Sequence, residues 1–238
     1  MLGLHDQYRD YYHRAASYDP AYSVHTANAK RPSHASWAGG HQDYLCSAFA
    51  PLYVKRNYTE ILAHNIHLEG SYLDVFTCNE PDECIHPYHP VSRRQCLDNR
   101  LECFSYMQSQ GILPSSEEVN EWALSQLVYC HYAPYDFQMH ASSEPRKGIP
   151  VPLFNLVYHD CVLIPWPMEK QKDGDDFMLY ALLNGGGAYL RKDAAYPNTD
   201  GMFENEYEKL SEEECIKRCQ IVAQLQEKVA YQKMVHHE

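Results

Sequence analysis

The chain has 238 residues, of which 45% are hydrophobic and 22% charged, and its formal charge is −12. That length holds one large domain or two small ones, and that balance excludes a disordered chain. The negative charge argues against a nucleic-acid groove, which needs a basic stripe, and against an anionic membrane surface.

No apolar run reaches the length of a membrane span, and MLGLHDQYRDYYHR lacks a signal-peptide layout. Residues 1–5, MLGLH, read as a strand that runs into a polar loop. Residues 17–44, rich in Ser, Pro, Gly, Asn and His, read as a long loop with a short strand near SHASWAGG. Residues 51–65 have helical spacing, with Pro51 in the first turn. GSYLDVFT is a strand. Residues 92–111 form an amphipathic helix, Ser92 its N-cap and Gly111 its C-terminal stop.

ILPSSEE is a short strand ending in acids, EVNEWALSQ a helical turn, and LVYCHYAP a strand. IPVPLFNLVY, residues 149–158, reads as a strand that ends at His159 and Asp160. DFMLYALLN is helical up to the glycines at 185–187. The last helix starts at Ser211, with Glu214 placed for a capping box. Strands alternating with helices imply an α/β fold with a mainly parallel sheet.

Polar residues gather where strands finish: His5 and Asp6, then Asp74, then Glu117, then His131 and Tyr132, then His159 and Asp160. A (β/α)8 barrel collects its reacting groups at such strand ends, and an open doubly wound sheet collects them at a switch point. Asp74 and Glu117 are 43 positions apart (117 − 74). A barrel averages about 31 residues per strand-helix unit, so one unit with a long loop fits the gap. Carboxyls on adjoining strand tips come within the ~5–5.5 Å used by retaining glycosidases.

Nine cysteines are spread without zinc-knuckle spacing and read as reduced thiols of a cytoplasmic protein. HPYHP, residues 86–90, places two His on a Pro-stiffened loop, where they read as caps for backbone groups rather than metal ligands. The 20 Tyr suit stacking on sugars or bases and equally suit a core.

YLDVFT, SSEEVNEWA, IPVPLFNLVYHDCVLIPW and the opening HDQYRDYY resemble the glycoside hydrolases related to the endo-α-N-acetylgalactosaminidases and α-N-acetylgalactosaminidases. The resemblance covers most of residues 1–165. It implies a (β/α)8 TIM-type barrel, with about strands 3 to 8 present in residues 1–238 as one partial catalytic domain. It also implies flanking β-sandwich domains in a longer parent. The acid of the Y-x-D-V strand becomes the nucleophile, Asp74, and the acid of the S-E motif becomes the acid/base, Glu117. Glu118 and Val119 depart from the glycines that follow that acid in related sequences, so Glu118 competes for the role.

The expected activity is retaining glycoside hydrolysis, possible substrates being α-linked N-acetylgalactosamine or related sugars. His5, Asp6, Tyr8, Trp37, His159 and Asp160 are the expected sugar contacts. Trp37 also fits a rim residue, and His159–Asp160 a structural pair. The expected partner is a carbohydrate, with no nucleic acid, no membrane, no metal and no cofactor. The alternatives are a degenerate carbohydrate-binding barrel and a metal-dependent hydrolase.

Overall fold

A computed structural model describes residues 2–27, 36, 37, 39–132, 153–168, 170–172, 175–189, 208–230 and 232–236. The chain divides into two units, residues 1–129 and 130–238.

The first unit is built on a parallel sheet. Strand β1 (Gly3–Gln7) pairs with β4 (Gly70–Asp74), and β4 pairs with β5 (Leu113–Glu118), both in parallel. The register sets Gln7 opposite Asp74, Asp6 opposite Leu73, and Leu73 opposite Ser116. Strand β6 (Tyr129–Tyr132) opens on the last residue of this unit. Strand β2 (Asp10–Tyr12) precedes the stretch expected as one long loop over residues 17–44, and its antiparallel partner β3 (Gln42–Tyr44) is a strand at the end of that stretch. Of the strand expected near SHASWAGG, the bridge between Trp37 and Gly40 is present, and residues 28–35 and 38 lie outside the described residues.

Helix α1 (Ala50–Ala63) carries Pro51 in its first turn, where no backbone donor is missed. It buries Ala50, Tyr53, Val54 and Tyr58 on one stripe, and the Tyr58 hydroxyl bonds to Ser71 on β4. Helix α2 (Arg93–Ser109) starts at the expected cap. Ser92 accepts from Gln95 N–H, and the Gln95 side chain accepts from Ser92 N–H. It ends before Gly111, whose φ of +74° is a left-handed stop that glycine adopts at no steric cost. Its buried face is Cys96, Arg100, Cys103, Phe104 and Met107. The EVNEWALSQ turn is a single 3₁₀ turn, Glu121–Ala123.

In the second unit, β7 (Pro165–Pro167) pairs in parallel with β10 (Gly187–Tyr189). Strand β8 (Lys170–Lys172) lies between β9 (Asp175–Asp176) and β11 (Glu208–Lys209), antiparallel to both. Helix α3 (Leu153–Tyr158) corrects the strand expected over residues 149–158, of which 149–152 lie outside the described residues. A short apolar run without alternation fits either element, and β-branched residues are too few there to force a strand. Helix α4 (Phe177–Asn184) ends at the expected glycines, and α5 (Glu212–Val229) is capped by the Ser211 hydroxyl, which accepts from Glu214 N–H. Trp166 stacks on Tyr180 with ring centroids 5.3 Å apart. No helix among the described residues is long and apolar enough to cross a membrane.

Candidate active site

Strand pleating decides which acids meet. Side chains alternate between faces, so Tyr72 and Asp74 share one face of β4 while Ser71 and Leu73 turn toward α1. Leu73 is aligned with Ser116, which puts Glu117 on the Asp74 face and Glu118 on the opposite one. Ser116 Oγ donates to Leu73 O at 2.6 Å and Ser115 Oγ to Ser71 O at 3.1 Å, which ties β5 to β4 just before the acids. Glu118 N–H donates to Thr77 Oγ1 at 3.1 Å.

The two carboxyls differ in proton affinity. Burial pushes Glu117 above the usual range, and the charge of Asp74 and a hydrogen bond with it push the same way; Cys78 and the Val75 N–H pull against them. Burial pushes Asp74 upward too. There it is outweighed by hydrogen bonds from His5 and Tyr72, the His5 charge and the Val75 N–H, which hold the carboxyl below its usual range. His5 Nε2 lies 3.4 Å from Asp74 Oδ2, and that hydrogen bond raises the affinity of the imidazole for its proton against burial. Burial raises Glu118, as does the Glu117 charge.

The turn after β4 brings in groups that sequence reading missed. Val75 has φ +54°, a strained conformation for a β-branched residue and one found at functional turns. Cys78 Sγ donates to Glu117 Oε2 at 2.8 Å. Asn79 Nδ2 donates to Val75 O and Cys78 Sγ, both at 3.0 Å, which braces the turn from below. Arg100, 2% exposed, reaches up from α2 to Phe76 O at 2.6 Å, Asn79 O at 3.0 Å and Asp82 at 3.2 Å. Arg9 holds the other side of Asp82 at 2.8 Å and 3.0 Å.

The Tyr12 hydroxyl accepts from Gly39 N–H and feels the Asp74 charge. A side chain at position 39 would strike the Tyr12 ring 2.5 Å away, so the Trp37–Gly40 turn lies flat on Tyr12 only because of that glycine. Trp37 on that turn is 62% exposed, an open aromatic plane rather than a core residue.

Of the expected sugar contacts, His5 joins the acid pair and Trp37 presents its ring to solvent. Asp6 and Tyr8 do not join. The pleat turns Asp6 to the other face from His5, where Tyr8 donates to it and Asn57 of α1 donates to Tyr8 at 3.2 Å. His159 and Asp160 follow a helix. His159 N–H donates to Asn155 O, its Nε2 bonds to Gln232 O at 3.1 Å, and Asp160 accepts from Cys161.

No family model and no curated protein sequence matches the chain. Solved structures do. The α-N-acetylgalactosaminidase NagBb of Bifidobacterium bifidum, in complex with Gal-NHAc-DNJ, is 55% identical with a TM-score of 0.89. Its GalNAc complex gives 55% and 0.87, and its ligand-free form 54% and 0.85. Each match covers 99% of this chain and 37% of the NagBb chain. Over the stretch they share, the chain is a homologue of this Bifidobacterium glycosidase, and it spans little more than a third of its length.

Proposed function

We propose that the protein hydrolyses α-linked N-acetylgalactosamine with retention of configuration. The observation that carries this reading is the Asp74–Glu117 pair: two acids on one face of neighbouring parallel strands, the proton affinity of one lowered and that of the other raised. Asp74 attacks the anomeric carbon. Glu117 protonates the leaving oxygen, and then removes a proton from the water that releases the sugar. The choice of sugar rests on the likeness to NagBb, a protein whose solved complexes hold GalNAc and Gal-NHAc-DNJ.

His5 steadies the charge on Asp74, and Trp37 offers a stacking plane. His159 and Asp160 contact the sugar in the same reading, while Asp6 and Tyr8 brace β1 against α1. The parent barrel is a closed (β/α)8 sheet to which β1, β4 and β5 belong, as their parallel pairing with α1 and α2 between them suggests. Flanking β-sandwich domains accompany it.

The test uses the full-length parent and aryl α-N-acetylgalactosaminides. Asp74→Asn should lose at least about 10³-fold in turnover, the order expected when a nucleophile is removed. Glu117→Gln should slow poor leaving groups far more than activated ones. The first-formed sugar, followed by NMR, should keep its α configuration. An inverted product would remove Asp74 from the nucleophile role, and full activity in Glu117→Gln would remove Glu117 from the acid role.

A further inference from the structure

A second chemical cluster lies in the first unit, apart from the acid pair. Cys46 follows β3, and Cys84 and His89 belong to the connection between β4 and α2. Cys46 is 0%, Cys84 3% and His89 9% exposed. Cys46 Sγ, Cys84 Sγ and one ring nitrogen of His89 all lie within 4.8 Å of one another.

We propose that Cys46, Cys84 and His89 form a structural binding site for a soft divalent cation, with zinc as the best fit. Four observations support this assignment. First, Cys84 Sγ is 3.5 Å from His89 Nδ1. Arms of ~2.3 Å to sulfur and ~2.0–2.1 Å to nitrogen at a tetrahedral angle place the two atoms about 3.6 Å apart. Second, His89 Nε2 is 2.8 Å from Ala21 O. With Nε2 donating to that carbonyl, the Nδ1 lone pair faces the thiols, the outer-shell arrangement that fixes a ligating imidazole. Third, His25 N–H points at Cys84 Sγ from 3.4 Å, a donor suited to a thiolate. Fourth, the backbone is already closed around the ligands. Cys84 and Val91 exchange hydrogen bonds of 2.8 Å and 2.9 Å, and Cys46 N–H donates to Tyr22 O at 2.8 Å. Two thiolates and an imidazole suit zinc far better than calcium or magnesium, which take oxygen ligands.

Binding balances simply. Cys46 and Cys84 each release a proton to solvent, His89 binds as the neutral ring, and water or a further thiol completes four-coordination. The thiols then give up their present contacts, Cys46 to His89 O at 3.7 Å and Cys84 to His89 Nδ1. The cation would join the segment before α1 to the connection before α2. The His-Pro-Tyr-His-Pro run thus supplies one ligand, His89, while His86 stacks on it with ring centroids 3.9 Å apart. The cysteines have no knuckle spacing because the ligands come from segments 38 positions apart (84 − 46).

The test reads metal rather than turnover, so it stands apart from the glycosidase assignment. Full-length protein purified with zinc and then desalted should retain one equivalent by elemental analysis. Its cobalt-substituted form should show thiolate-to-cobalt charge transfer in the near ultraviolet. Cys84→Ala and His89→Ala should each lower zinc affinity by at least about 10-fold. Chelation should lower the Tm of the wild type, and zinc, unlike calcium or magnesium, should restore it. Wild type that keeps no zinc and gives no cobalt–thiolate band overturns the site whether or not the variants fold. So does a Cys46–Cys84 disulfide, seen as the loss of two hydrogens by intact mass.

Discussion

Cys78 is the side chain through which the proton affinity of Glu117 can be tuned without touching either acid. Its thiol donates to the ionised carboxylate at 2.8 Å and favours that form. Asp74, Glu118 and His5 also act on this site, and all remain in a Cys78 variant. Cys78→Ala should therefore move the basic limb of the kcat/KM profile to higher pH, since Glu117 then keeps its proton longer. Cys78→Ser, which keeps a donor, should move it less. The same carboxyl has a stability signature. Its folded-state affinity for a proton exceeds the unfolded one, so its contribution is full below about pH 4.3 and is lost as pH rises through the folded value. Glu117→Gln should melt above wild type at pH 7 and show no advantage near pH 4, as followed by circular dichroism.

Between the elements, the connection from β4 to α2 depends on one buried cation. Arg100 lies on α2, yet its guanidinium satisfies carbonyls of the preceding loop and shares Asp82 with Arg9. Removing it leaves the partly buried Asp82 carboxylate with Arg9 alone and three loop carbonyls without their donor. Arg100→Ala should cost about 3–5 kcal/mol in urea unfolding, the range for breaking a buried charge pair from one side. Arg100→Lys should recover only part, because an ammonium cannot present the planar fork that spans the three carbonyls and the carboxylate. The helix itself was legible in the sequence from Ser92 and Gly111, since capping is local chemistry. The role of Arg100 was not, because its partners lie 18 to 24 residues away in a loop without periodicity.

For the molecule as a whole, six of the nine cysteines are buried and Cys161 is exposed. Titration with a thiol reagent should modify Cys161 first in the native protein, and all nine once metal is chelated and the chain unfolded. A protein with two or more protected thiols after chelation and unfolding would contain a disulfide. The acid pair was legible because apolar runs ended in charged residues, a pattern that burial cost makes conspicuous. The strand expected to end at His159 and Asp160 is a helix because its apolar run is short and fits either element. Tyr12 comes near Asp74 through antiparallel pairing of β2 with β3 across about 30 residues, which no local signal encodes.

The two serine hydroxyls that bond β5 to β4 have a consequence for inheritance. Neighbouring glutamates face opposite ways, so a slip of one residue in β5 would replace Glu117 by Glu118 in the site while every acid stayed in the sequence. A single insertion or deletion in the turn at Gly111 could produce that exchange. Ser115 and Ser116 oppose it by fixing the alignment themselves, independently of the turn that leads in. Substituting both, rather than either acid, would make the identity of the acid beside Asp74 depend on loop length.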